Sequence, residues 1–125
     1  MPEPVHVVLD TSGLAAIGGN LLASRLIHRA HAEADWYLYT TACALVEADR
    51  DRPGTGTHIA QLPGITVLEL DLPAALAVAE DTTWGTAHTL HAVQPSPDRP
   101  TGAYVATTAL QNWLGKPVRV IDLNP

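Results

Sequence analysis

Five short apolar, β-branched or aromatic segments, separated by helix-forming stretches, constrain this chain more than any other feature. The first, Val5–Leu9, is a nearly continuous apolar run, the pattern of a strand covered on both faces in a parallel sheet. Gly13 and Gly18–Gly19 then interrupt the chain, so a helix over Leu14–Ile17 is a single turn. Asn20 is an N-cap for a helix running to Ala34, with Leu22, Leu26 and Ala30 on one face. Trp36–Thr40 reads as the second strand, and Thr40 or Thr41 caps a helix through Ala42–Asp49. Arg50–Thr57 reads as a loop, and His58–Leu62 as one helical turn before Pro63–Gly64. Ile65–Leu70 is a third strand. Asp71 with Pro73 starts one helix, and Asp81–Thr83 starts another through Trp84–Val93. After the Pro-rich loop Gln94–Gly102, Ala103–Thr108 is a fourth strand, the stretch ending at Gly115 a short helix, and Val118–Leu123 a fifth strand. Strands alternating with helices in this way imply an α/β sandwich with right-handed crossovers.

Composition narrows the class. A length of 125 residues, 46% of them hydrophobic, suits one domain over residues 1–125 with a core built without Phe. A single cysteine, Cys43, excludes an intramolecular disulfide framework and fits a reducing compartment. Met1–Pro4 lacks a basic start, Val5–Leu9 is too short for a signal-peptide core, and no apolar run approaches the roughly 20 residues of a membrane span. The expectation is a cytoplasmic protein with no membrane segment. A formal net charge of −6 argues against nucleic-acid binding through a basic face. It leaves room for a nuclease whose carboxylates hold Mg²⁺, and for a basic protein partner.

Sites in open parallel sheets lie outside the carboxyl ends of the strands. Asp10 stands at such an end, Glu47 follows the second strand by about two helical turns, and Asp71 and Asp81 follow the third. Clustered oxygens of this kind suit a hard divalent cation. Asp10 before Thr11-Ser12-Gly13 is equally a helix N-cap or Asx-turn residue, and Glu47 alone an ordinary solvated glutamate. The small and apolar residues around Glu47 nevertheless require a partner, a metal or a cleft for it.

With these residues in place, "VVLDTSGLAA" and "TTACALVEADR" resemble the PIN-domain nucleases, including VapC-type toxins. The closing "AYVATTALQNWLGKPVRVIDL" is similar to the end of such domains. The resemblance implies a PIN-like three-layer sandwich with a central, mainly parallel five-stranded sheet. It also implies a Mg²⁺- or Mn²⁺-dependent endoribonuclease in which Asp10, Glu47 and a third acid hold metal. Thr11, Ser12 and Thr107 would position water or phosphate, and Arg50 and Arg52 would contact RNA phosphates. Asp81 is the nearest third acid, offset by a few residues, with Thr83 or Trp84 at the aligned place and Asp98 a second candidate. The family's fourth acid is absent: Thr108 and Ala109 follow Thr107, and Asn112 is the nearby oxygen donor. Implied partners are RNA, a small antitoxin-like protein and a second copy of the chain. The competing expectation is a non-catalytic PIN-like module that binds a protein or RNA. A third is an oligomerising α/β domain whose Asp10 only caps.

Other candidates read as structural. His88 and His91 lack a third ligand at zinc spacing and are expected to pack or face solvent. Cys43 reads as a buried thiol, and Trp84 and Trp113 as core residues. Gly18–Gly19 and the Gly54/Gly56 pair fit no phosphate-binding loop.

Overall fold

The computed structural model describes residues 3–81 and 83–125. Thr82, inside the helix start expected at Asp81–Thr83, lies outside them. Five strands, β1 (Val5–Leu9), β2 (Trp36–Thr41), β3 (Ile65–Leu68), β4 (Tyr104–Thr107) and β5 (Arg119–Asp122), form one sheet in the order β3-β2-β1-β4-β5. All four pairings are parallel, with Val7 opposite Leu38 on one side and Tyr104 on the other. β1 is therefore the central strand, and its end points at the switch where neighbouring connections diverge to opposite sides.

Helices cover both faces, as the apolar runs require. Alternation along β1 sends Val7 and Leu9 to one face, where they meet Leu14, Leu26, Ala44 and Ile59. These come from α1 (Thr11–Ala16), α2 (Leu21–Ala32), α3 (Ala42–Asp51) and α4 (Thr55–Gln61). Val8 and Val105 point the other way, onto Ala92 and Val93 of α6 (Trp84–Val93) and onto Trp113. α5 (Leu72–Ala79) packs on α6, and Val78, Ala87 and Cys43 of α3 form a small third cluster. Because α3 serves two clusters, Glu47, one turn beyond Cys43, faces α6. Among the described residues no helix is long and apolar enough to cross a membrane.

Several elements depart from the expected bounds for local reasons. α1 is a six-residue helix rather than a single turn from Leu14, because Asp10 caps it and it starts at Thr11. α2 stops at Ala32, two residues early, with Glu33 as its C-cap. The expected loop Arg50–Thr57 is largely two helix ends. Asp49 Oδ1 accepts from the Gly54 and Gly56 N–H groups at 3.1 and 2.9 Å, which folds the turn tightly enough for α4 to begin at Thr55. β3 ends at Leu68, where its pairing with Thr41 ends, leaving Glu69 and Leu70 exposed. The short helix expected before Gly115 is one 3₁₀ turn, Leu110–Asn112. Toward the amino edge of the sheet, Arg29, Arg99 and Arg119 lie over the rings of Trp36, Tyr39 and Tyr104 at 3.8, 5.1 and 4.3 Å.

Asn20 ties the start of α2 to the residue that follows the last strand. Its Oδ1 accepts from Ala23 N–H at 2.9 Å as the α2 cap, while its Nδ2 donates to the Leu123 carbonyl at 2.8 Å. Asn20→Ala removes both bonds, and should lower the unfolding free energy by about 1–2 kcal/mol. The expected readout is a lower urea midpoint with an unchanged slope.

Candidate functional site at the carboxyl edge of the sheet

Asp10 leaves the end of β1 and is only 5% exposed. A carboxylate so enclosed needs hydrogen-bond donors, and three reach it. Oδ1 accepts from Gly13 N–H at 2.8 Å and from the Ser12 hydroxyl at 2.7 Å; Oδ2 accepts from the Trp113 indole N–H at 2.9 Å. The helix-cap reading of Asp10 therefore holds, and the same carboxylate also anchors a side chain from the connection between β4 and β5. Gly13 makes the approach possible, because a Cβ there would stand 2.7 Å from the Ala106 carbonyl oxygen of β4.

The hydroxyls beside Asp10 are ordered by that anion. Ser12 has one proton and directs it to Asp10, so the Thr107 hydroxyl, 3.0 Å away, donates to Ser12. Ser12 Oγ also accepts from Thr108 N–H at 3.0 Å, and Thr107 Oγ1 from Ala109 N–H at 2.9 Å. A one-way chain thus runs from the Ala109 amide through Thr107 and Ser12 to Asp10. Chains of this kind polarise one another, and they fix the backbone that carries them.

Glu47 sits half-buried on the far side of Thr11, whose hydroxyl donates to its Oε1 at 3.1 Å. Among the described residues no cation pairs with it. It lines an open cleft of about 500 Å³ with Ala42, Cys43, Val46, Arg50, Leu70 and Trp84. Val46, Leu70 and Trp84 are 48%, 44% and 58% exposed, so the walls of the cleft are apolar. Trp84 is therefore not a core residue, unlike Trp113: it opens α6, off the buried face formed by Gly85, His88, Thr89 and Ala92. The two arginines diverge. Arg50 borders the Glu47 cleft, whereas Arg52 borders two separate depressions, one with Ser12 and Thr108 and one with His58.

Asp81 is not brought to Asp10 and Glu47. It is exposed after α5, its Oδ1 accepts from Thr83 N–H at 3.0 Å, and it borders a shallow depression with Glu80, Leu90, His91 and Gln94. Asp98 is exposed in the loop before β4, at the amino edge of the sheet. α6 presents Gly85 to Glu47 and Thr11, where a Cβ would overlap Glu47 Oε1 and come within 2.7 Å of Thr11 Oγ1. Sequence reading placed Thr83 or Trp84 there; the helical phase shared by Gly85, His88 and Thr89 is the signal that identifies Gly85. Among the described residues no three His, Cys, Asp or Glu side chains gather as a metal-holding group. The donor set does not fit a Mg²⁺ or Mn²⁺ centre. Asp10 has about three of its four acceptor sites engaged, and among the described residues no third carboxylate joins it and Glu47.

His88 and Cys43 are structural. His88 is 1% exposed, and its Nδ1 accepts from Cys43 N–H at 3.4 Å. Burial lowers the His88 pKa; the Glu69 main-chain carbonyl, accepting from the ring, and Asp71 oppose this, and His91 adds to it. Burial, then Glu47, pushes the Cys43 thiol up, away from nucleophile chemistry. Comparison of the chain with protein-family models and with curated proteins finds no match to either.

The His88 geometry sets a pH dependence. Its folded pKa lies below the ordinary value of about 6.5, so the unfolded chain binds the proton more readily. This contribution is complete above that value, and it is lost as pH falls below it. His6, lowered by burial and by Arg99, acts in the same sense. The urea midpoint should fall between pH 7.5 and pH 5, by less in His88→Gln than in the wild type.

Proposed function

We propose that this chain is a PIN-like module that works by binding a protein, not by metal-dependent cleavage of RNA. The observation carrying this reading is the cleft at Glu47: a half-buried carboxylate that pairs with no cation among the described residues, walled by exposed Val46, Leu70 and Trp84. Leu72 and Leu76 on α5, the helix that follows Leu70, are exposed as well, at 71% and 62%. Exposed apolar surface of this kind marks interaction sites, and it favours a polypeptide over a phosphate backbone. Glu69 and Asp71 beside Leu70, and the net charge of −6, point the same way. The occupant this surface suits is a polypeptide with an apolar face and a basic side chain for Glu47, either a small antitoxin-like protein or a second copy of the chain.

The two functions are separable by experiment. Sedimentation of the purified chain, alone and with proteins captured by it, should show association that Trp84→Ser and Leu76→Lys weaken at least tenfold. RNA incubated with the chain and Mn²⁺ should be cut no faster than with Asp10→Asn or Glu47→Gln. Cleavage abolished by both carboxamide variants would return the chain to the metal-dependent ribonucleases and overturn the reading.

A further inference from the structure

We infer that Trp113 occupies, at Asp10, the place a cation would take, and that its indole closes this carboxylate to divalent metals. Three observations converge on this. Trp113 is 3% exposed, with its ring in the cluster containing Val8, Val105 and Ala92, so its N–H is held in one direction by packing. An indole N–H is a donor only, and a buried one requires an acceptor; here that acceptor is Asp10 Oδ2 at 2.9 Å. The other oxygen is engaged by Ser12 and Gly13, and Ser12 is backed by Thr107 and Thr108.

A metal bound at Asp10 would have only the second site of Oδ2, beside the positive hydrogen of the indole N–H, or would displace one of these donors and leave a buried N–H or O–H unpaired. Among the described residues it would also lack a cluster of three acidic or other metal-ligating side chains to offset the charge of a divalent ion, since α6 offers Gly85 at the position facing Glu47. Asp10 therefore acts as a clamp. It draws the connection after β4, which carries Trp113, onto the end of β1 and the start of α1.

The test reads the indole directly. The three indole N–H resonances of the wild-type chain are assigned with Trp36→Phe and Trp84→Phe, and the remaining one is Trp113. It should exchange slowly with solvent, and Asp10→Asn should shift it and speed its exchange. Paramagnetic Mn²⁺ at millimolar concentration should leave it unbroadened in the wild type. Selective broadening at lower Mn²⁺, lost in Asp10→Asn, would overturn the inference, as would a Trp113 signal that Asp10→Asn leaves in place. A double-mutant cycle adds Trp113→Phe: its effect on the urea midpoint should shrink in the Asp10→Asn background, and equal effects in both backgrounds would overturn the clamp. If Trp113→Phe does not fold, the spectra of the wild type and Asp10→Asn decide alone. Because the readout lies on Trp113, it is independent of whether a partner fills the cleft at Trp84.

Discussion

A carboxylate buried at the end of the central strand sets the terms for much of the carboxyl edge of this fold. Leaving it without partners would cost several kcal/mol, so the chain around it must deliver donors. It does so from three directions: the first turn of α1, the hydroxyl of Ser12, and an indole arriving from beyond β4. Each donor fixes an element. α1 starts where the cap requires, β4 is drawn against α1 through Gly13 and Ser12, and the irregular connection to β5 is pinned through Trp113. The site and the fold are here the same set of bonds.

This dual role separates two neighbouring carboxylates that the sequence invites one to group. Asp10 is enclosed and holds three donors, whereas among the described residues Glu47 keeps one donor and opens to a cleft. Between them stands Thr11, hydrogen-bonded to Glu47, with Gly85 close against both Thr11 and Glu47. Carboxylates near one another in the chain's topology thus serve unlike ends, one internal and one facing outward. The basic residues are divided as well. Three arginines stack on aromatic rings toward the amino edge, while Arg50 and Arg52 border separate hollows at the other.

The five-stranded α/β architecture was legible because β1 and β4 are buried on both faces and read as apolar runs, while the half-buried edge strands keep β-branched and aliphatic residues. Val5–Leu9 falls as expected, and Tyr104–Thr107 lies within the expected fourth strand. The turn at Arg50–Thr57 was not, since its Gly and Pro content signals a loop, and only the reach of Asp49 to two amides reveals the helix beyond it. At the site, Asp10 and Glu47 were found from their positions relative to strands. Trp84 and Trp113 could not be told apart from composition, because their fates depend on which face of a helix or turn meets the sheet. Gly85 was overlooked for a related reason: a glycine carries no chemistry, and its importance is the space it leaves for Glu47. Asp81 was drawn toward the site by its place in the chain, and the turn after α5 carries it elsewhere.

The strand order carries a consequence for how the chain reaches this state. β1 finds one neighbour, β2, soon after it, but its other edge stays open until β4 arrives from the last quarter of the chain. Until then a row of unpaired amides and carbonyls flanks Val7, Val8 and Leu9, a surface well suited to pairing with the wrong strand. Contacts this distant in sequence form slowly, since loop closure must precede any gain from them. The seam between β1 and β4 is thus the pairing in this sheet that spans the greatest length of chain.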